Sequence, residues 1–154
     1  MKKTLISNGP LETKALALRI RENLQNGDIV LLKGEIGAGK SHFARSLIQA
    51  AMDKVEDVPS PTFTLVQTYD TLAGSIWHAD LYRLSDQNEV FELGLIDAFG
   101  NDIVLIEWPD RLGYLEPQDA LTIELVILEN DKREVIFSTS SCVWEARLEK
   151  TLQK

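Results

Sequence analysis

The segment from Gly34 to Ser41 fits the pattern G-x-x-x-x-G-K-[ST], which marks loops that bind the phosphates of nucleotides. Its glycines permit backbone conformations closed to other residues, so successive N–H groups can point into one anion-sized nest. Lys40 would reach the β- and γ-phosphates, and the Ser41 hydroxyl would bind Mg²⁺. A glycine-rich turn that spells the motif by chance is the alternative. Nucleotide contacts are expected from Glu35, Ile36, Gly37, Ala38, Gly39, Lys40, Ser41 and His42.

The loop alone selects neither the base nor the reaction. A guanine-binding protein would normally carry an N-K-x-D string, and the nearest one, residues 130–133, reads Asn-Asp-Lys-Arg and does not fit. Adenine is favoured by this absence only, so ATP or ADP with Mg²⁺ is the expected cofactor. Hydrolysis and phosphoryl transfer to a substrate both remain open at this point.

Two carboxylates stand where predicted strands end. Open α/β sheets bind ligands at the carboxyl ends of their strands, so Glu107 and Asp80 could bind Mg²⁺ or orient an attacking water. The alternatives are an ordinary exposed glutamate at a strand end and, for Asp80, the N-cap of the next segment. His78 is more simply interpreted as a structural histidine than as a general base. The expected catalytic residues are Glu107, Asp80 and Lys40, and the expected metal ligands are Ser41, Glu107 and Asp80.

The elements next to the loop have the patterns that such a site needs. Residues 29–32 and 103–106 are short, continuous aliphatic runs, which are typical of central parallel strands covered on both faces. Residues 43–51 have the apolar period of a helix, and so do residues 11–24, which end before Asn26 and Gly27. These patterns predict a strand, the phosphate loop and a helix in direct succession.

The rest of the chain predicts further strands and two shorter helices. We expect strands at Thr62–Tyr69 and Ser75–Asp80, a short helix between Asp86 and Gly94, a hairpin of Leu121–Leu128 with Glu134–Thr139, and a helix at Val143–Leu152. With no linker or repeat in view, the prediction is an α/β fold of the P-loop NTPase type, forming one domain over residues 1–154. Its central sheet should be mostly parallel, flanked by helices, with additional antiparallel strands.

Composition limits the partners and the compartment. The 154 residues include 16 Lys and Arg against 24 Asp and Glu, for a net charge of −8. Such an acidic chain is not expected to bind nucleic acid strongly by itself, since phosphate backbones attract basic surfaces. Cys142 has no partner in the chain, which weakly favours a reducing compartment. No targeting or membrane-spanning stretch is visible, so the cytoplasm is the expected location and no membrane partner is expected.

Four strings together resemble the TsaE (YjeE) family. They are the phosphate loop, Ser-Pro-Thr-Phe-Thr-Leu-Val at 60–66, His-Ala-Asp-Leu-Tyr-Arg-Leu at 78–84 and Ile-Glu-Trp-Pro at 106–109. The phosphate loop is shared by many families, but the other three strings in this order and spacing are specific. The resemblance covers essentially the whole chain. Ser41 stands where Thr is commoner and keeps the hydroxyl, and His42 replaces a frequent Thr without an evident reason.

The resemblance implies a P-loop ATPase required for the threonylcarbamoyladenosine modification of tRNAs that read codons beginning with adenine. It implies TsaB and TsaD as partners, with tRNA handled by those partners and ATP hydrolysis resetting the TsaB–TsaD pair. Ser60–Thr64 resembles a switch-like loop with Thr62 near the γ-phosphate or the metal, and Trp108 and Arg83 would lie beside the site. Without the resemblance, Trp108 could equally be a core aromatic and Arg83 a surface cation.

Two other functions use the same loop. A small-molecule or nucleoside kinase needs acidic residues too, but such kinases generally also need a lid, and no lid insertion is evident. A nucleotide-dependent binding switch with negligible turnover is the third possibility. Phosphate release separates the three, because a kinase needs an acceptor, a switch releases almost nothing, and an activated ATPase accelerates with its partners.

Overall fold

A computed structural model describes residues 1–153 and contains seven strands and five helices within that range. The strands are β1 (Lys2–Ser7), β2 (Ile29–Lys33), β3 (Val66–Thr71), β4 (Gly74–Asp80), β5 (Ile103–Glu107), β6 (Leu121–Ile127) and β7 (Arg133–Ser138). The helices are α1 (Pro10–Glu22), α2 (Lys40–Ala51), α3 (Glu89–Glu92), α4 (Leu95–Ala98) and α5 (Cys142–Thr151), and a 3₁₀ segment covers Pro109–Leu115.

All seven strands form one sheet in the order β1-β7-β6-β2-β5-β4-β3. The four central strands, β6, β2, β5 and β4, are parallel to one another, whereas β7 and β1 on one side and β3 on the other pair antiparallel. The predicted α/β fold, with a parallel centre and added antiparallel strands, is confirmed. The sheet places the ends of β2, β4 and β5 at one edge.

The unbroken aliphatic sequence of β2 is explained by two apolar cores, one on each face of the sheet. Val30 and Leu32 belong to a core formed with side chains of α1, α2 and α5. Ile29 and Leu31 belong to a second core with α3, α4 and the 3₁₀ segment. Since both faces of β2 are covered at residues 29–32, those positions show no polar alternation of a half-exposed strand, and the partly exposed Lys33 ends the strand.

One predicted strand starts too early. Residues 62–65 were expected to be the first half of a strand at Thr62–Tyr69, but they lie in a turn and β3 begins at Val66. Leu65 has a left-handed φ of 68°, and its N–H donates to the carbonyl of Pro61 at 2.7 Å. This local hydrogen bond stabilises a turn although the residues are β-branched and aromatic. Strand propensity alone does not determine whether a segment pairs with a neighbouring strand.

Three elements have no counterpart in the predictions. Helix α4 follows Gly94, the residue at which the predicted short helix was expected to end. β1 pairs with β7 at one edge of the sheet, although its short apolar run gave no strand signal of its own. The 3₁₀ segment follows β5 directly and begins at Pro109, whose fixed φ suits the first helical position. Among the described residues, no helix is long and apolar enough to cross a membrane.

Candidate functional site

The phosphate-loop sequence connects β2 to α2 in a tight path. At Gly34, with φ of 146°, a Cβ atom would lie 2.6 Å from the backbone oxygen of Leu125 in β6, so no side chain fits there. Gly39, with φ of 109°, caps the N-terminus of α2. The first backbone N–H groups of α2 therefore open toward the loop, and the positive end of the helix dipole lies there, as an anion site requires.

Lys40 is the first residue of α2 and is buried. Its Nζ donates to the carbonyl oxygens of Gly34 at 2.6 Å and of Glu35 at 2.9 Å, and lies 4.3 Å from the centre of the Trp108 ring. Burial lowers the pKa of the Lys40 ammonium from its ordinary value, and the charges of Glu107 and Asp80 offset part of that shift. The ammonium is thus placed inside the loop next to two carboxylates.

The two predicted carboxylates lie side by side because of strand register. β4 and β5 are parallel neighbours, and Asp80 is paired with Glu107 at their ends. Both residues are buried. The Ser41 hydroxyl lies 2.9 and 3.1 Å from the two carboxylate oxygens of Glu107. Glu107 is therefore not an ordinary exposed strand-end glutamate.

The loop before β3 reaches the same carboxylates. The Thr62 hydroxyl donates to Oδ2 of Asp80 at 3.0 Å, and the Ser60 hydroxyl lies 2.8 Å from that of Thr62 and 3.4 Å from that of Ser41. The other oxygen of Asp80 accepts the backbone N–H of Tyr82 at 3.0 Å. A chain of hydroxyls thus joins the Ser60–Thr64 loop to the phosphate loop and to both carboxylates.

A cleft of about 370 Å³ collects these groups. It is lined by Ile36, Gly37, Gly39, Lys40, Ser41, His42, Thr62, Asp80, Tyr82, Glu107 and Trp108. Trp108 has a left-handed backbone conformation, with φ of 58°. Its ring packs against that of Tyr82 with ring centres 5.0 Å apart, and both residues line the cleft, so Trp108 is not only a core aromatic. Tyr82 was not predicted individually, although the string that resembles the family contains it.

A second cavity of about 210 Å³ shares Gly39 and His42 with the cleft. Its other lining residues are Gly9, Pro10, Thr13, Ala38, Asp131 and Arg133. Arg133 donates through Nε to the carbonyl of Ala38 at 2.9 Å and through a terminal nitrogen to that of Gly37 at 3.4 Å. These two hydrogen bonds anchor the carbonyls of Ala38 and Gly37 to the side chain of a β7 residue. Nothing in the local sequence around Arg133 indicates this contact.

Three predicted residues lie away from the cleft wall. Ala38 lines the second cavity, and Glu35 contributes its carbonyl to Lys40 without lining either cavity. Arg83 places its guanidinium 5.1 Å from the centre of the exposed Phe63 ring, so it lies beside the Ser60–Thr64 loop and does not line the cleft.

The donors in the cleft fit Mg²⁺. The Ser41 hydroxyl and the carboxylates of Asp80 and Glu107 are oxygen ligands, which this hard cation prefers, and nucleotide sites usually combine one or two carboxylates with phosphate oxygens. Among the described residues, no three His, Cys, Asp or Glu side chains form a separate metal cage. Ser41, Asp80 and Glu107 are thus the side chains available to a metal ion at the phosphate loop.

Most of the chain matches one known protein family. Residues 7–135 match the family model for "Threonylcarbamoyl adenosine biosynthesis protein TsaE". The chain belongs to the TsaE family. The resemblance inferred from the four strings is therefore confirmed, and with it a place among P-loop nucleotide-binding proteins of a family named for tRNA threonylcarbamoyladenosine biosynthesis.

Individual TsaE relatives match most of the chain. The tRNA threonylcarbamoyladenosine biosynthesis protein TsaE of Rickettsia felis is 39% identical over 137 residues, covering 89% of this chain and 80% of the relative. The Bacillus subtilis protein of the same name is 34% identical over 130 residues, covering 84% of this chain and 80% of the relative. The crystal structure of Bacillus subtilis YdiB superimposes with a TM-score of 0.78 at 25% identity, over 99% of this chain and 95% of that one.

Proposed function

We propose that this chain is a Mg²⁺-dependent ATPase that acts with TsaB and TsaD in the threonylcarbamoyladenosine modification of tRNA at A37. The observation that carries the proposal is the contact of the Ser41 hydroxyl with Glu107, beside the Lys40 ammonium and the Asp80 carboxylate. Family membership supports the pathway, and the geometry supports nucleotide chemistry at this cleft. One domain over residues 1–154 and a cytoplasmic location belong to the same proposal.

Each polar group in the cleft has a role in this proposal. Lys40 and the N-terminus of α2 bind the phosphates, since they supply positive charge and N–H donors at the loop. Ser41 with Asp80 and Glu107 would hold Mg²⁺, which, when bound, neutralises negative charge on the phosphates. Glu107 is the group proposed to orient the attacking water, because its carboxylate lies at the end of the loop. Trp108 and Thr62 complete the phosphate end of the cleft.

The second cavity is the proposed position of the nucleoside. It adjoins the phosphate loop at Gly39 and His42, so a nucleotide with its phosphates in the cleft can extend into it. Arg133 and Asp131 supply polar edges there, and Pro10 supplies an apolar one. ATP and ADP are the proposed ligands.

Partners are proposed to complete the site. Isolated phosphate loops hydrolyse slowly until charge stabilisation and water positioning are complete. The loop that holds Thr62, which contacts Asp80, also carries Phe63, whose side chain is 84% exposed. A protein that packs on this loop would act directly on the hydroxyl chain of the site. The tRNA itself would be handled by TsaB–TsaD, in keeping with the charge of −8.

Phosphate release from ATP, measured alone and with purified TsaB–TsaD, tests the proposal. We expect slow Mg²⁺-dependent release by the chain alone and clear stimulation by the pair. Release that requires a small-molecule acceptor would favour the kinase instead, and no release under either condition would favour a binding switch. Either result would overturn the ATPase assignment.

A further inference from the structure

His78 is buried beneath the cleft and touches Glu107. It lies on β4, two residues before Asp80, and Leu105 is its partner on β5. In parallel strands, paired residues point to the same face, so His78 and Glu107 are diagonal neighbours on one face of the sheet. The distance from His78 Nε2 to Oε2 of Glu107 is 2.6 Å, with exposed side-chain fractions of 1% and 2%. His78 does not line the cleft.

The direction of this hydrogen bond follows from the partners. An ionised carboxylate only accepts, so Nε2 of His78 carries the proton and donates. Nδ1 of the same ring is buried and has no partner among the described residues. A proton on Nδ1 would leave a buried N–H without an acceptor, which is costly. The surroundings therefore favour the tautomer with its proton on Nε2.

This contact makes the two oxygens of Glu107 unequal. Oε2 accepts from His78 at 2.6 Å and lies 3.1 Å from the Ser41 hydroxyl, whereas Oε1 has the Ser41 hydroxyl at 2.9 Å as its contact. Two anchors on one oxygen fix the rotation of the carboxylate about its last bond. Oε1 is consequently the oxygen with capacity left for a ligand or a water in the cleft.

We propose that His78 is a positioning residue for ATP hydrolysis, which holds Glu107 by Oε2 so that Oε1 serves the reaction. The inference rests on the proposed function, because it gives a role to a residue behind the carboxylate that the ATPase needs. Residues that orient a ligating or reacting carboxylate typically change activity by about 10–100-fold when the hydrogen bond is removed. A residue that only fills space would change stability and nucleotide binding instead.

Three substitutions separate these two roles. In His78→Gln the side-chain amide nitrogen can reach the position of Nε2, in His78→Asn it reaches only that of Nδ1, and in His78→Leu no donor remains. The measurements are single-turnover phosphate release with ATP and Mg²⁺, in the presence of TsaB–TsaD, and calorimetric Kd values for ATP and ADP. We expect the Leu and Asn variants to lose about 10–100-fold in rate, the Gln variant to recover at least half of that loss on a logarithmic scale, and all Kd values to stay within about 3-fold of the parent.

A second measurement detects the His78–Glu107 hydrogen bond directly and does not require ATP turnover. The chain has two histidines, His42 and His78, so a His42→Asn variant assigns their imidazole nitrogen signals in NMR. We expect His78 to show a proton on Nε2 that exchanges slowly with solvent, and to lose that protection in Glu107→Ala. This readout remains available if His78→Leu does not fold, and the Gln and Asn pair then carries the kinetic comparison.

The outcomes are distinct. Equal rates in the Gln and Asn variants, or parental rates in the Leu variant, would overturn the positioning role while leaving the ATPase intact. Parallel losses of rate, affinity and thermal stability in all three variants would also overturn it, in favour of packing. A parent chain that releases no phosphate with its partners would overturn the proposed function and this role with it, even if the imidazole signal confirmed the hydrogen bond.

Discussion

Ser41 Oγ lies 2.9 and 3.1 Å from the two carboxylate oxygens of Glu107, so one hydroxyl joins the start of α2 to the end of β5. These residues are 66 positions apart in the chain and meet because β2 and β5 are parallel neighbours. The contact brings a negative charge to the edge of the phosphate loop, close to the Lys40 ammonium.

Glu107→Gln should retain nucleotide binding and lose turnover. The amide keeps the shape of the side chain but removes the charge proposed to serve Mg²⁺ and the attacking water. We expect phosphate release to fall by about 10²-fold or more, as for other positioned acid–base groups. Steady-state release with TsaB–TsaD and calorimetry with ADP measure the two effects. Turnover near that of the parent would leave Asp80 as the stronger candidate.

Lys40→Ala should remove most of the affinity for ATP and ADP. A charge-assisted hydrogen bond contributes about 1.5–3 kcal/mol, which corresponds to roughly 10–100-fold in Kd. Lys14→Ala is the matched control, because Lys14 carries the same charge on the exposed side of α1. Calorimetry should also show GTP binding more weakly than ATP. Unchanged binding by the Lys40 variant, or equal affinity for GTP, would contradict the assignment of the loop.

The parts of the site that lie in one contiguous string were predictable. Lys40 and Ser41 follow from the loop pattern, because the chemistry of a phosphate nest sets the residue types and their spacing. Asp80 and Glu107 follow less directly, from the rule that parallel strands end at the same edge of a sheet. In the structure the two residues are register partners at the ends of β4 and β5, so both strands end at the same edge of the sheet.

Other parts depend on packing that no local pattern encodes. Arg133 donates to the carbonyl of Ala38, although the two residues are 95 positions apart in the chain. They come together because β7 and β6 lie beside β2 in the sheet. Residues 62–65 were predicted as strand because their residue types have high strand propensity. Propensity does not indicate the specific hydrogen bond from the Leu65 N–H to the Pro61 carbonyl, which forms the turn. That turn is what brings Thr62 to Asp80.

Arg133→Ala should weaken ATP and ADP alike. The Arg133 side chain donates to the carbonyls of Ala38 and Gly37, and these bonds stabilise the loop conformation that is proposed to bind the phosphates. Loss of about 1 kcal/mol of hydrogen bonding corresponds to roughly 5-fold in Kd, with little change in release at saturating ATP. Lys132→Ala controls for charge, since Lys132 is exposed on the same hairpin. Equal effects of the two substitutions would reduce the role of Arg133 to general electrostatics.

Tyr69→Phe should leave stability unchanged near neutral pH and improve it in alkali. The Tyr69 hydroxyl is buried without a hydrogen-bond partner among the described residues, so its removal leaves no group unpaired. Burial, with a smaller contribution from Asp57, raises the pKa of Tyr69 above its ordinary value of about 10. Its neutral form therefore favours the folded state below about pH 10, and that contribution is lost as the pH rises through the raised pKa.

Urea unfolding of the parent and the Phe variant at pH 7.5 and at about pH 10.5 measures this difference. The free energies of unfolding should agree at the lower pH, and the parent should fall below the variant at the higher one. A parent that is clearly more stable at pH 7.5 would show that the hydroxyl has a partner, such as bound water.

Thr62→Ala should uncouple partner binding from the nucleotide. Thr62 contacts Asp80 at 3.0 Å and Ser60 at 2.8 Å, and it is followed by the exposed Phe63, so the same short loop touches the site and faces outward. Segments ordered by γ-phosphate and its metal are a common means of switching. For the parent, we expect ATP to favour the complex with TsaB–TsaD more than ADP does. In the Thr62 variant this preference should shrink while ADP affinity stays within about 3-fold, because the phosphate loop is untouched.

Pull-down with purified TsaB–TsaD in the presence of ATP, of ADP and of no nucleotide measures this preference. Thr64→Ala is a matched control on the same loop, because the Thr64 hydroxyl contacts Gln67 and does not line the cleft. The control should behave as the parent does. Identical recovery of the parent under all three conditions, with unstimulated turnover, would contradict the partnership and return the kinase to consideration. Equal losses in the Thr62 and Thr64 variants would instead place the partner on the loop backbone or Phe63, because the contact to Asp80 is made by Thr62 alone of the two.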